Sequence, residues 1–187
     1  MKQLTWRQAV VLGSIGSLGL IARAPCESGL PETKSAGFEL VLDNPKDLPR
    51  FAKALGLPSG AGETEVDRVV QALVKQVREE LGFQAESVPA FRLRVVESRR
   101  ELRGLYKGTA AEDHEGLLAM YQPTERLIGV TPATLRPEVL AHEIAHHIVN
   151  TSFPMPLPRD VDEAIAYRIQ DKFSGWTPPA IEVAMAK

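Results

Sequence analysis

"VLAHEIAHHIVN", residues 139–150, sets two histidines four positions apart with a glutamate directly after the first. A helix turns once in about 3.6 residues, so His142 and His146 project from the same side and can offer two ring nitrogens to one ion. That geometry suits tetrahedral zinc. Glu143 is displaced by about 100° around the axis, which brings it near a zinc-activated water but places it poorly as an in-line ligand; its natural role is general base. In a chain of 187 residues with four histidines, a chance match to this pattern arises about once in a hundred such sequences. Leu140, Ile144 and Ile148 form an apolar stripe opposite the histidines, which implies a helix buried on one side and lining a cleft with the other. The rival reading is a histidine pair satisfied in a core or at a surface. His147 lies about 140° from His142 and is expected to pack or cap rather than coordinate.

A catalytic zinc needs a third protein ligand and one open position. The longer three-histidine pattern is absent, because Val149 and Ser152 stand where a glycine and a histidine would be required. In "RDVDEAIAYRIQDKFSG", residues 159–175, Glu163 follows His146 at a distance that allows a loop and a return helix from about Asp160 to Phe173. On that helix Val161, Ile165, Ile169 and Phe173 are expected to form the core stripe. Glu163, Ala166, Tyr167 and Gln170 form a neighbouring stripe that can face a metal. Against the ligand reading, Asp160 can cap the helix with Glu163 completing a capping box three residues later. If Glu163 only caps, Asp160, Asp162 and Asp171 are the next carboxylates to consider.

Outward from this pair of helices the pattern is mixed. A short helix is expected over Lys46–Leu55. A longer amphipathic one is expected through Val66, Val69, Val70, Leu73, Val74, Val77 and Leu81, capped by Thr64 and ended by Gly82. Residues Phe91–Val95 alternate as a half-buried strand. Leu117–Tyr121 and Arg126–Val130 form a hairpin around Gln122–Glu125 that leads into the motif helix. Thr131 with Pro132, or Pro137, starts that helix, and Asn150 with the proline-rich stretch after it ends it.

The pair "HEIAH", residues 142–146, and "DEAIAY", residues 162–167, resembles the gluzincin branch of zinc metallopeptidases, in particular its small bacterial members. The resemblance covers roughly residues 90–175. It implies an α+β, minimal zincin-like fold: a short antiparallel sheet packed on helices, an active-site helix and a following glutamate helix. It implies Zn2+ held by His142, His146 and Glu163, with Glu143 as base and proton shuttle, and hydrolysis of a peptide or protein substrate. It also gives Leu117–Tyr121 the role of an exposed sheet edge along which an extended peptide lies; the other reading is an ordinary edge strand. Larger gluzincins often brace a ligand histidine with an Asp four residues after the ligand Glu, and here Tyr167 occupies that place. His114 and Tyr167 are candidate hydrogen-bond donors to a developing oxyanion.

Composition narrows the remaining classes. Lys plus Arg number 22 against 24 Asp plus Glu, so no basic field is available for a phosphate backbone and nucleic acid is not expected as a partner. Residues 1–26 have the layout of an export signal, with Lys2 and Arg7 ahead of the apolar run Ala9–Ala22, which is short of the roughly 20 residues of a permanent span. The expectation is an exported, periplasmic or extracellular protein, with a linker over residues 27–44 and one zincin-like domain over residues 45–187. Cys26 reads as an incidental leader cysteine, since Arg-Ala-Pro before it is unlike a lipid-attachment box. Two other functions stay open: a non-catalytic zinc-stabilised binding module, and a latent protease whose cleft is covered by residues 27–44 or 174–187.

Overall fold

A computed structural model describes residues 37–83, 88–105 and 117–179. The elements in chain order are β1 (Phe38–Leu42), a 3-10 turn (Pro45–Asp47), α1 (Leu48–Ala54), α2 (Glu63–Leu81), β2 (Phe91–Val95) and α3 (Arg99–Leu105). They continue with β3 (Ala119–Gln122), a 3-10 turn (Pro123–Glu125), β4 (Leu127–Val130), α4 (Pro137–Ser152) and α5 (Arg159–Lys172). The leader, Cys26 and His114 lie outside the described residues. Among the described residues no helix is long and apolar enough to cross a membrane.

The α+β class holds, but the sheet is mixed rather than antiparallel. Its order is β1-β2-β4-β3, with β1–β2 and β2–β4 parallel and only β3–β4 antiparallel. The cause is β1, which lies inside the segment expected to be a linker and pairs with β2 from Phe38–Phe91 to Leu42–Val95. A parallel neighbour needs a long crossover, and the stretch holding α1 and α2 supplies it. The hairpin into the motif is as expected, with β3 on the outer edge and Arg126 in the left-handed region at φ 48° to close the turn.

Helix α2 forms for the expected reason: Val66, Val69, Val70, Leu73 and Val77 are fully buried on one stripe. Its start is one turn-signal earlier than Thr64. Gly62 is the N-cap, and its backbone N–H donates to the Glu65 carboxylate at 2.9 Å. Gly82 ends it in the left-handed region at φ 77°, which glycine adopts without a Cβ penalty. Helix α4 starts with Pro137 at its first turn, where a missing N–H costs nothing. Leu140, Ile144 and Ile148 are fully buried as the stripe requires. The core lies between α2, α4 and the inner face of the sheet. A smaller cluster of Val96, Leu102 and Met120 joins α3, which the sequence reading did not include, to the outer face.

On α5 the buried residues are Ala166 and Ile169, joined by Phe173 at its C-cap, while Val161 is exposed. The core stripe is therefore rotated from the expected Val161–Ile165–Ile169–Phe173 line, and stepping it back four residues from Ala166 arrives at Asp162. After α5 the chain returns to the scaffold. Lys172 pairs with Glu80, Trp176 Nε1 donates to Gln76 Oε1 at 2.6 Å, and Pro178 lies against Gly56.

Gly129 on β4 is where the outer face is tightest. A Cβ there would stand 3.0 Å from Leu102 Cδ1 and 3.1 Å from Met120 Cγ, both on buried side chains. Gly129→Ala is expected to cost about 1–3 kcal/mol by overpacking. In denaturant titration the midpoint should fall with an unchanged slope, and an unchanged midpoint would show that α3 yields freely.

Candidate metal centre

The second and third turns of α4 carry His142, Glu143 and His146 into a cleft of about 550 Å³. One wall of the cleft is the segment Leu117–Tyr121, and the other is the α5 face of Arg159, Asp162, Glu163, Tyr167 and Gln170. Helices α4 and α5 pack along one another, and Ala166 of α5 is fully buried, so α5 can bring its carboxylates to the α4 histidines. Nε2 of His142 and Nε2 of His146 are 3.1 Å apart, and Oε2 of Glu163 is 3.7 Å from the first and 3.8 Å from the second. A triangle with those sides has its corners about 2.1 Å from a common centre, the bond length of a small divalent ion to nitrogen or oxygen. His142, His146 and Glu163 thus form a cluster that can hold a metal ion. The expected ligand trio is brought together.

The capping alternative for Glu163 does not match the helix. Helix α5 begins at Arg159 with Pro158 as N-cap and no side-chain cap bond, which puts Asp160 inside the first turn and Glu163 beyond the position a capping box uses. Asp160 and Asp171 are exposed and stand outside the cluster. Asp162 has a different role. Its Oδ2 accepts from His146 Nδ1 at 2.9 Å and from Asn150 Nδ2 at 3.1 Å, and Asn150 also donates to the His146 carbonyl. The Nδ1 proton of His146 is thereby committed to Asp162, which leaves the Nε2 lone pair directed at the cluster. The brace that Tyr167 cannot provide four residues after Glu163 comes from the residue immediately before it.

Electrostatics fit a cation site. Burial, then the neighbouring His146, lower the pKa of His142, so its ring is neutral and its lone pair available at physiological pH. Its Nδ1 is buried without a hydrogen-bond partner, and the neighbouring Gln170 side chain on α5 favours the protonated ring. Glu143 is buried, and burial together with the negative charges of Glu163 and Asp162 pushes its pKa up to about 8.

His147 is fully buried and does not coordinate. Its Nε2 lies 2.8 Å from the Pro89 carbonyl and its Nδ1 3.2 Å from the Tyr121 hydroxyl. Burial lowers its pKa, while burial pushes that of Tyr121 up to about 12. Tyr167 is 58% exposed and its ring meets His142 edge-on at 4.9 Å, so it is at the site. The described parts of both termini stand elsewhere: β1 is on the far edge of the sheet and residues 174–179 lie against α1 and α2. No family model, curated protein or solved structure matches the chain.

Two outcomes follow from this geometry. Asp162→Asn is expected to weaken metal binding about 10- to 100-fold in chelator competition, because the His146 Nδ1 proton loses a charged acceptor; unchanged affinity would remove the brace from the site. The second concerns metal-free protein. Glu143 has its ordinary pKa near 4.5 when unfolded and about 8 when folded, so its contribution to stability is complete below pH 4.5 and is lost as pH rises to about 8. With chelator present, the melting temperature of Glu143→Gln relative to wild type should climb between pH 4.5 and 8 and level off above. A difference that stays flat over that range would contradict the buried, protonated carboxyl.

Proposed function

We propose that this protein is a zinc metallopeptidase of gluzincin type, hydrolysing peptide bonds in an extended substrate. The observation that carries the reading is the convergence of His142, His146 and Glu163 beside the buried Glu143 in an open cleft. Two imidazoles and one carboxylate suit zinc better than the all-oxygen sites of magnesium or calcium. The same donors also serve non-haem iron, and the adjacent carboxyl with a shifted pKa favours hydrolysis over oxygen chemistry. Three protein donors and an open cleft resemble a catalytic zinc site, whereas a structural zinc is closed by four.

Zinc bound by His142, His146 and Glu163 would act as a Lewis acid, polarising the scissile carbonyl and making the attacking water more acidic. Glu143 takes the proton from that water as its oxygen bonds to the carbonyl carbon, then passes it to the leaving nitrogen as the carbon–nitrogen bond breaks. A dication beside it would favour the ionised carboxylate, so a group that keeps its proton to about pH 8 in the metal-free protein can accept one when the site is loaded and then return it. Asp162 holds the His146 ring, and β3 has β4 on one side and no strand on the other among the described residues, so a peptide backbone can pair along it. Tyr167, exposed in the cleft beside His142, is the candidate donor to the developing oxyanion. Export is proposed on the leader sequence alone.

The test is metal analysis and a peptide-library digest of the full chain and two variants. Wild type should hold about one zinc and cleave. Glu143→Gln should keep the zinc and lose at least about 100-fold in rate. Glu163→Gln should lose more than tenfold in zinc affinity, since the amide removes a charge and a good donor from direct coordination. Zinc without cleavage by wild type would favour a zinc-stabilised binding module, and zinc held as tightly by Glu163→Gln would remove Glu163 from the ligand set.

A further inference from the structure

We propose that Tyr121, His147 and the Pro89 carbonyl form a clamp that fixes the open edge of β3 against the motif helix, making Tyr121 and His147 positioning residues for a bound peptide backbone. The inference rests on the peptidase reading of the cleft.

Strand β3 needs such a device. It is four residues long, lies at the sheet edge and, among the described residues, is paired only with β4. A short edge strand with one partner is held weakly by its ladder alone. Alternation sends Ala119 and Tyr121 to the α4 side, where both join the main core, and Met120 to the α3 side. Tyr121 therefore points from the cleft wall towards the helix that carries His142 and His146, and its ring meets the His147 ring edge-on at 5.5 Å.

The directions of the hydrogen bonds follow from chemistry. The Pro89 carbonyl can only accept, so the His147 nitrogen 2.8 Å away, Nε2, carries the ring proton. Nδ1 of the neutral ring then has a lone pair, and the Tyr121 hydroxyl 3.2 Å away donates to it. Pro89 lies two residues before the start of β2, and β4 separates β2 from β3. One buried imidazole thus ties α4 to the approach of β2 and to the edge strand across β4. The ring also packs on Phe91, which stacks on Phe38, so His147 is seated on a row of aromatic rings that crosses the inner face. At the other end of the edge, Thr134 Oγ1 from the loop leading into α4 donates to the Leu118 carbonyl at 2.8 Å. Both ends of the cleft wall are therefore tied to the segment bearing the histidines.

The Tyr121 proton is committed to His147, so Tyr121 does not serve as an oxyanion donor. Its contribution is the spacing between β3 and the metal cluster. A misplacement of about 1 Å between substrate and catalytic groups can cost about 100-fold in rate, which gives the clamp its value.

The experiment compares two probes on zinc-loaded full chain: acetohydroxamate, which reaches only the metal, and trialanine hydroxamate, which adds a peptide backbone without distinctive side chains. Wild type should bind the second more tightly. Tyr121→Phe should narrow that margin about 3- to 10-fold, the effect of one lost hydrogen bond, while zinc affinity and acetohydroxamate binding stay unchanged. Thr134→Val, which breaks the tie at the opposite end, should act in the same direction, and hydrogen exchange over residues 119–122 should quicken in both. A fold-wide defect would move both probes together. The clamp is overturned if Tyr121→Phe retains the full margin, or if zinc-loaded wild type shows no margin at all. Failure of wild type to hold zinc would instead bring down the reading on which the clamp rests, and the metal assay alone would reveal it.

Discussion

Helix α4 is buried at ten of its sixteen positions, three of them the polar residues Glu143, His146 and His147, and a buried polar group must be answered by a partner or by a change of protonation. His147 is answered by Pro89 and Tyr121, and His146 by Asp162. Glu143 is answered by holding its proton to about pH 8. The two hydrogen-bonded answers recruit separate parts of the chain: the approach to β2, the edge strand β3 and the return helix α5. The placement of the cleft walls follows from satisfying one helix, and the fold and the site are in that sense a single problem.

The same burial sets the chemistry. Three carboxyl groups gathered beside two imidazoles at one cleft are unfavourable as a set, since the carboxylates repel one another and burial lowers the pKa of His142. A dication offsets that repulsion, and its binding is linked to folding stability because the unfolded chain has no preformed cluster. Clusters that push titration this far from ordinary values occur mostly at functional sites. Asp162 adds to the negative charge around Glu143 while fixing the His146 ring, so it contributes to both the cost and the order of the site.

Much of the site was legible because helical spacing is local. His142, Glu143, His146 and Glu163 lie within one helix–loop–helix, and the stripe Leu140–Ile144–Ile148 correctly turned the histidines to a cleft. The hairpin and the two long helices were legible from alternation and capping. Strand β1 was not: Phe38–Leu42 lies amid proline- and glycine-containing sequence, and its pairing with β2 depends on a partner some fifty residues away. The parallel pairings were missed with it. Helix α3 is short and buries only Leu102, too little to set a period. Asp162 was missed as the brace because a search for apolar periodicity passes over a carboxylate, although it stands one turn before Ala166 on the true core stripe of α5. The Tyr121–His147–Pro89 chain joins three separate segments and has no signature within any of them.

The proposed binding of one zinc ion by His142, His146 and Glu163 is tested most directly by X-ray absorption at the zinc edge of the zinc-loaded full chain. The expected spectrum shows scattering from two imidazoles, with nitrogen and oxygen donors at about 2.0–2.1 Å and no sulfur. A shell of oxygens alone, a single imidazole, or sulfur from Cys26 would contradict the assignment.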